Sequence, residues 1–206
     1  MNIAIIGAGA VGSTLGGVWA NKGHRITFGV RNPESAKAGA VSKAKGHVSG
    51  IREAAAEAEV VVLAVPWAAA LDAVKAAGKL DGKILVDPIN AFTPEMTLSV
   101  GFTTSVAEEI AKAAPGASVV KAFNTLGVGN VGNLVFGDQT ASGFICGDDA
   151  AAKAKVSELV REVGFDVVDC GALRSARALE PLALLWGQLA FVQGMGPNVA
   201  FKLLRR

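Results

Sequence analysis

Asn2-Ile3-Ala4-Ile5-Ile6-Gly7-Ala8-Gly9-Ala10-Val11-Gly12 opens the chain with a short apolar run that breaks into a glycine-rich turn. A helical pattern follows, and then Arg25-Ile26-Thr27-Phe28-Gly29-Val30, a second strand-like run that ends at Arg31. Strand, glycine turn, helix and strand in this order are what a dinucleotide-binding βαβ unit requires, and the setting makes G-x-G-x-x-G far more specific than the bare pattern. Gly7 lets the chain leave the strand in a tight turn. Gly9 offers no side chain against a pyrophosphate, and Gly12 lets the helix pack closely on the sheet. The helix starting near Ala10 then turns unpaired N–H groups and its positive dipole end towards the phosphates.

The second strand decides which nicotinamide cofactor fits. A site for NAD places Asp or Glu at that tip to accept from the ribose hydroxyls. Here the strand ends Gly29-Val30-Arg31-Asn32-Pro33, with no acid at the tip. A guanidinium pairs with a 2′-phosphate through two parallel hydrogen bonds, whereas a carboxylate would repel it. Arg31 therefore points to NADP, with Asn32 as a second donor and Lys37 as an outer charge. Glu34 follows Pro33 and is expected to begin the next helix.

The chain has 206 residues, 51% of them hydrophobic, and a formal charge of +2, a balance that gives no reason to expect nucleic-acid or membrane-surface binding. No apolar run reaches the roughly 18 residues that span a bilayer. Met1 leads straight into the first strand, so no signal peptide is expected. Cys146 and Cys170 each end a strand-like segment and read as buried free thiols rather than a disulfide or a metal site. The expected compartment is the cytosol.

Further along, strands and helices alternate. Helices are predicted over 34–45, 51–57, 67–78, 103–114 and 149–163, the last with Asp148 as N-cap. Strands are predicted over 46–49, 59–65, 83–87, 118–122, 142–146 and 165–170. Residues 124–132 read as loop and short helix. The continuous β-branched run Glu59-Val60-Val61-Val62-Leu63-Ala64-Val65 marks a strand covered on both faces. The fold class is α/β: a Rossmann-type doubly wound, mostly parallel sheet with a C-terminal helical extension. Residues 1–171 form the NADP-binding domain, and residues 172–206 form apolar helices over 175–193 and 197–204. Leu179, Leu182, Leu185, Trp186, Leu189, Phe191 and Val192 cover most of a helix circumference, which calls for burial on several sides. A homodimer with an isologous helical interface supplies part of that burial.

Ligands of doubly wound folds bind outside the carboxyl ends of the strands. This directs attention to Pro66-Trp67, Pro88-Ile89-Asn90 and Phe123-Asn124-Thr125-Leu126-Gly127. The chain has no tyrosine, which excludes a Tyr-x-x-x-Lys proton donor. His24 and His47 fall at the wrong ends of their strands and read as solvated loop residues. Lys121 is a cation that could reach the cleft or form a structural ion pair, Asp87 caps or pairs, and no residue is assigned as catalytic. Reduction of a carbonyl or imine needs a positioned acid. Hydride transfer between a nicotinamide and a flavin-like ring needs chiefly proximity and stacking, which an apolar cleft of Trp67, Ile89, Phe123 and Leu126 would favour; the alternative for each is plain core, and for Phe123 core is the better reading.

Residues 2–31, Val62-Leu63-Ala64-Val65-Pro66-Trp67, Lys121-Ala122-Phe123-Asn124-Thr125, Ile145-Cys146-Gly147-Asp148-Asp149 and Gly194-Met195-Gly196 together resemble the NADP-dependent oxidoreductases that use the deazaflavin coenzyme F-420. The resemblance implies a dimer in which C-terminal helices close the coenzyme cleft. It also implies that Ala8, Gly9, Ala10 and Val11 hold the pyrophosphate and that Val30, Arg31 and Asn32 surround the 2′-phosphate. Pro66, Trp67, Asn90 and Val128 would line the nicotinamide side. Archaeal members carry His-Thr-Ile-Pro where this chain has Asn124-Thr125-Leu126-Gly127, and Val30 stands in place of a small hydroxylated residue. The Lys-Ala-Phe-Asn-Thr wording is also similar to the cytosolic NADPH-binding domain of the six-transmembrane metalloreductases, which pass hydride to FAD. The expectation is an NADP(H)-dependent reductase of a deazaflavin or flavin. Alternatives are a reductase of a small carbonyl or imine, and a non-enzymatic NADP-binding sensor.

Overall fold

The computed structural model describes residues 1–36, 46–125 and 127–206. The opening unit forms as its pattern demands: β1 (Asn2–Ile6), α1 (Ala10–Asn21) and β2 (Arg25–Val30). Next come α2 (Pro33–Ala36), β3 (His47–Gly50), α3 (Ile51–Glu57), β4 (Val60–Leu63), α4 (Trp67–Ala77) and β5 (Ile84–Asp87). After them lie α5 (Val106–Ala113), β6 (Ser118–Lys121), a hairpin of β7 (Val135–Phe136) and β8 (Gln139–Thr140), then β9 (Ser142–Gly147), α6 (Ala150–Val163), β10 (Asp166–Asp169) and α7 (Ala176–Gly187). Lys37 and most of the helix expected over 34–45 lie outside the described residues, as does Leu126.

The main sheet runs β10-β9-β6-β5-β4-β1-β2-β3. From β3 to β6 all neighbours are parallel. β9 pairs antiparallel to β6, with Lys121 opposite Cys146, and parallel to β10. The reversal has a physical cause. A parallel return needs a crossover, usually through a helix, and the described residues between β6 and β9 hold only a short 3-10 turn (Val128–Asn130) and the β7–β8 hairpin. That hairpin is not foreshadowed by the sequence pattern.

Every residue of β4 and β5 is buried, as strands covered on both faces require. One face packs on α3, α4, α5 and α7 through Ala54, Ala70, Val74, Ile110 and Leu179. The other packs on α1 and α6 through Leu15, Trp19, Phe28, Val156 and Leu159, with Trp19 Nε1 donating to the Leu159 carbonyl at 3.1 Å. Leu173, Ala176 and Leu179 belong to the first of these clusters, so the C-terminal segment shares the core of the sheet.

Several boundaries differ from expectation. The helix expected over 175–193 begins as a 3-10 turn (Leu173–Ser175), continues as α7 and widens into a π turn over Gln188–Val192, where Gln193 N donates to the Gln188 carbonyl at 2.8 Å. No helix forms over 197–204. The chain there has no regular secondary structure and satisfies the start of β9: Ser142 N donates to the Phe201 carbonyl, and Leu203 N to Ser142 Oγ, each at 3.0 Å. The N-cap of α6 is Asp149, whose Oδ1 accepts from Ala152 N at 2.7 Å, while Asp148 reaches across to accept from Leu173 N at 2.9 Å. His24 is no solvated loop residue: its ring bridges the Met1 amine at 3.1 Å and Glu162 at 2.8 Å. Within the C-terminal segment Leu179, Ala183, Trp186 and Ala190 are buried, but Leu185, Phe191, Val192 and Met195 remain exposed. Among the described residues, no helix is long and apolar enough to cross a membrane.

Candidate functional site

A cleft of about 730 Å³ opens at the carboxyl ends of β1, β2 and β4. Gly7 forms its floor with Ile6, and Gly29, Val30, Arg31 and Asn32 form one wall. Val65 and Pro66 form the opposite wall, backed by Ala68, Ala69, Asp72, Ala73 and Ala76 of α4. Five of the residues singled out in the sequence, Gly7, Val30, Arg31, Asn32 and Pro66, thus meet in one cavity.

The glycine turn has the geometry its pattern requires. Gly7 has φ +104, a conformation that side chains other than glycine's rarely adopt. A Cβ at Gly7 would lie 2.4 Å from the Ala64 carbonyl oxygen, and one at Gly12 would lie 2.3 Å from the Gly7 carbonyl oxygen. Gly9 is different, because a Cβ there would have no neighbour within 4 Å. Gly9 is also the N-cap of α1 and brings no side-chain cap, so the helix offers first-turn N–H groups to a ligand at a spot kept open. Such an open helix N-terminus has the chemistry to take a phosphate.

The remaining predicted residues lie outside this cavity. Val11 and Val128 meet in a separate void of about 30 Å³ with Leu15, Phe123, Val131 and Phe165. Trp67 begins α4 and packs partly buried against the core. Asn90 follows β5, and its Nδ2 donates to the Asn124 carbonyl at 2.8 Å. Asn124 Nδ2 returns a bond to Asn90 Oδ1 at 3.2 Å and donates to the Leu179 carbonyl at 3.0 Å. Ile89 and Phe123 pack into the interior, the alternative favoured for Phe123, rather than wall an apolar cleft. Ile89 is core, and Phe123, held at φ +65, turns its ring edge-on to Trp19 at 5.6 Å.

Beneath Asn90 and Asn124 lies a buried charge cluster that the sequence hinted at through Lys121. Lys121, Asp87 and Glu180 are all 0% exposed. The ammonium donates to Asp87 Oδ2 at 2.9 Å, to Glu180 Oε1 at 2.8 Å and to the Ile89 carbonyl, using all three of its protons. Burial opposes the lysine's charge, but the two carboxylates outweigh it and hold its pKa above the ordinary value. Burial pushes the Glu180 carboxyl up, and Lys121 pulls it back only in part. Glu180 also accepts from Val106 N and Ala107 N at the positive end of α5.

Residues 2–91 match the family model for NADP oxidoreductases that depend on coenzyme F420. Over 90% of both chains, the sequence is 31% identical to the F420-dependent NADP reductase of Methanothermobacter marburgensis. The chain belongs to this family of F420-dependent NADP oxidoreductases.

The fold agrees with this family. A solved structure from Arthrobacter sp. FB24, assigned as an F420-dependent NADP-reductase, superposes with a TM-score of 0.90 over the whole of both chains at 36% identity. The rat metalloreductase STEAP3 is 34% identical over 89% of this chain, which spans 37% of that relative's length. Sequence reasoning missed the α4 side of the cleft. Its signal was present: Ala68, Ala69, Asp72, Ala73 and Ala76 recur at i, i+1, i+4, i+5 and i+8, a stripe of small residues along one helix face. Glu180 was missed because it sits among leucines and alanines about 60 residues from Lys121, and nothing local pairs the two.

Proposed function

We propose that this oxidoreductase transfers hydride between NADP(H) and the ring of a deazaflavin of the coenzyme F420 type, with free flavin as the competing acceptor. One observation carries the choice of acceptor class. The ionisable groups at the carboxyl ends of β5 and β6, Asp87 and Lys121, are fully buried and bound to one another and to Glu180. They are spent on structure, and no positioned acid for a carbonyl or imine stands there among the described residues. A flavin-like ring asks for proximity and alignment instead. When bound, NADPH would supply the hydride.

In this reading Gly7, Ala8, Gly9, Ala10, Val11 and Gly12 seat the pyrophosphate, and Val30, Arg31 and Asn32 seat the 2′-phosphate. Pro66, Trp67, Asn90 and Val128 lie on the nicotinamide side. Residues 172–206 complete the cleft, and the exposed apolar side chains Leu185, Phe191, Val192 and Met195 meet a second copy of the chain, which sedimentation equilibrium reads directly. Two free thiols suit a cytosolic setting. The test is NADPH oxidation with coenzyme F420, FMN, FAD and riboflavin supplied separately. Turnover with F420 bears the reading out. Turnover with flavins alone moves the acceptor to flavin, and turnover with none, together with tight NADPH binding, overturns it.

A further inference from the structure

We propose that Lys121 is a positioning residue for hydride transfer: its ammonium fixes the loop that carries Asn90 and couples that loop to α7. The proposal rests on the reading that Asn90 lies on the nicotinamide side. Two stacked layers of bonds tie the same three segments. In the lower layer Lys121 joins Asp87 of β5, the Ile89 carbonyl and Glu180 of α7. In the upper layer Asn90, Asn124 and the Leu179 carbonyl are joined. The Ile89 peptide is gripped from both sides, because its N–H donates to Asp87 Oδ1 at 2.8 Å while its carbonyl accepts from Lys121. The backbone of Asn90 is thereby held one residue away from a group that cannot shift without leaving a buried charge unpaired.

A buried ion cluster is weak evidence for net stability, since well-packed apolar residues often serve as well or better. What it gives here is geometry. From β6, lysine's three protons meet three acceptors on two other segments, the end of β5 with its following loop and α7, and a lost partner would free the loop after β5 to move against α7. A displacement on the order of 1 Å at a reacting pair costs about a hundredfold in rate.

The test compares the full-length wild type with Lys121→Met and with the triple variant Lys121→Met, Asp87→Asn, Glu180→Gln, which carries no buried charge should the single variant fail to fold. Glu180→Gln alone gives a milder version that keeps Lys121. The readouts are NADPH affinity by calorimetry, enhancement of nicotinamide fluorescence on binding, kcat and KM for NADPH, and melting temperature. The expected result is unchanged affinity, since the adenine and phosphate end is held at β1, β2 and α1. Alongside it, kcat should fall about ten- to a hundredfold and the fluorescence enhancement should be lost. A folded variant with wild-type kcat and fluorescence, whatever its melting temperature, overturns the proposal. Should the wild type reduce none of the acceptors, the functional reading fails, and the fluorescence arm still decides whether Lys121 positions the nicotinamide.

Discussion

Gly9 and Gly12 stand three residues apart in one turn, yet the structure assigns them opposite sensitivities. A Cβ added at Gly12 would meet the Gly7 carbonyl oxygen at 2.3 Å, whereas one at Gly9 would meet nothing within 4 Å. Overpacking of the first kind costs about 1–3 kcal/mol. Replacing an N-cap glycine by valine costs about 1 kcal/mol or less, since Gly9 already has an extended conformation open to other residues. For a chain of this size 1 kcal/mol shifts the melting temperature by roughly 2–4 °C, so Gly9→Val should melt within a few degrees of wild type. Ligand response should separate the two variants. NADPH at a hundred times its Kd stabilises the wild type by about 2.7 kcal/mol, a rise of roughly 5–11 °C. Gly9→Val should show none of that rise with NADPH or NADH, because its side chain fills the space left for the pyrophosphate. Gly12→Ala should melt lower and still respond to cofactor. A full NADPH-induced rise in Gly9→Val would refute the placement of the phosphates at this turn.

Arg31→Ala should weaken NADPH binding by about 1.5–3 kcal/mol, the range for a charge-assisted hydrogen bond, or roughly 10- to 150-fold. NADH binding should hardly change, and equal affinity of the unmutated protein for both cofactors would sink the assignment. Burial pushes the Cys146 thiol up to about 12 and raises that of Cys170 as well, so both should resist alkylation in the native protein at neutral pH and react once it is unfolded; rapid native labelling of Cys146 counts against its burial. The Arg177 guanidinium, bonded to both Glu108 oxygens at 2.8 and 2.7 Å, holds that carboxyl below the ordinary carboxylate value against the opposing effect of burial. A lowered folded value means that the pair's contribution is present above about pH 4.5 and is lost as pH falls further. Arg177→Gln should therefore lower stability at neutral pH and flatten the acid limb of the stability curve. Parallel acid limbs in denaturant titrations of the two proteins would contradict it.

The parts of the fold legible in advance are those where local pattern and tertiary role coincide. The β1–α1–β2 unit, the all-apolar β4 and the arginine at the tip of β2 each announce themselves within a dozen residues. Periodicity carried α7 in the same way, but it could not reveal where the regular helix ends, because the π turn is a matter of hydrogen-bond register. Residues 197–204 read as helical from their composition and form no helix because they serve the backbone at the start of β9, a partner about 60 residues away. Reversal of β9 escaped for a related reason: strand direction depends on the connection, and β9's own residues say nothing of it. In the cleft, Gly7 and Arg31 were readable as motif. The alanine face of α4 was present as a periodic stripe but did not point to a ligand, since small residues signal room for one only once the strand ends beside them are known.

The π turn over Gln188–Val192 has a consequence for how this region tolerates change. Each residue of an α-helix advances the chain by about 100°. Removing a single residue there would let the wide turn relax into a regular helical one and swing everything beyond it through roughly that angle. Trp186, whose ring nitrogen donates to the Val199 carbonyl at 2.6 Å, and Asn130, whose amide donates to the Pro197 carbonyl at 2.7 Å, would then address empty positions. Side chains such as Phe191 and Val192 can be exchanged with little effect on that register. The count of residues between Gly187 and Pro197 cannot, so insertions and deletions there should be far more damaging than substitutions.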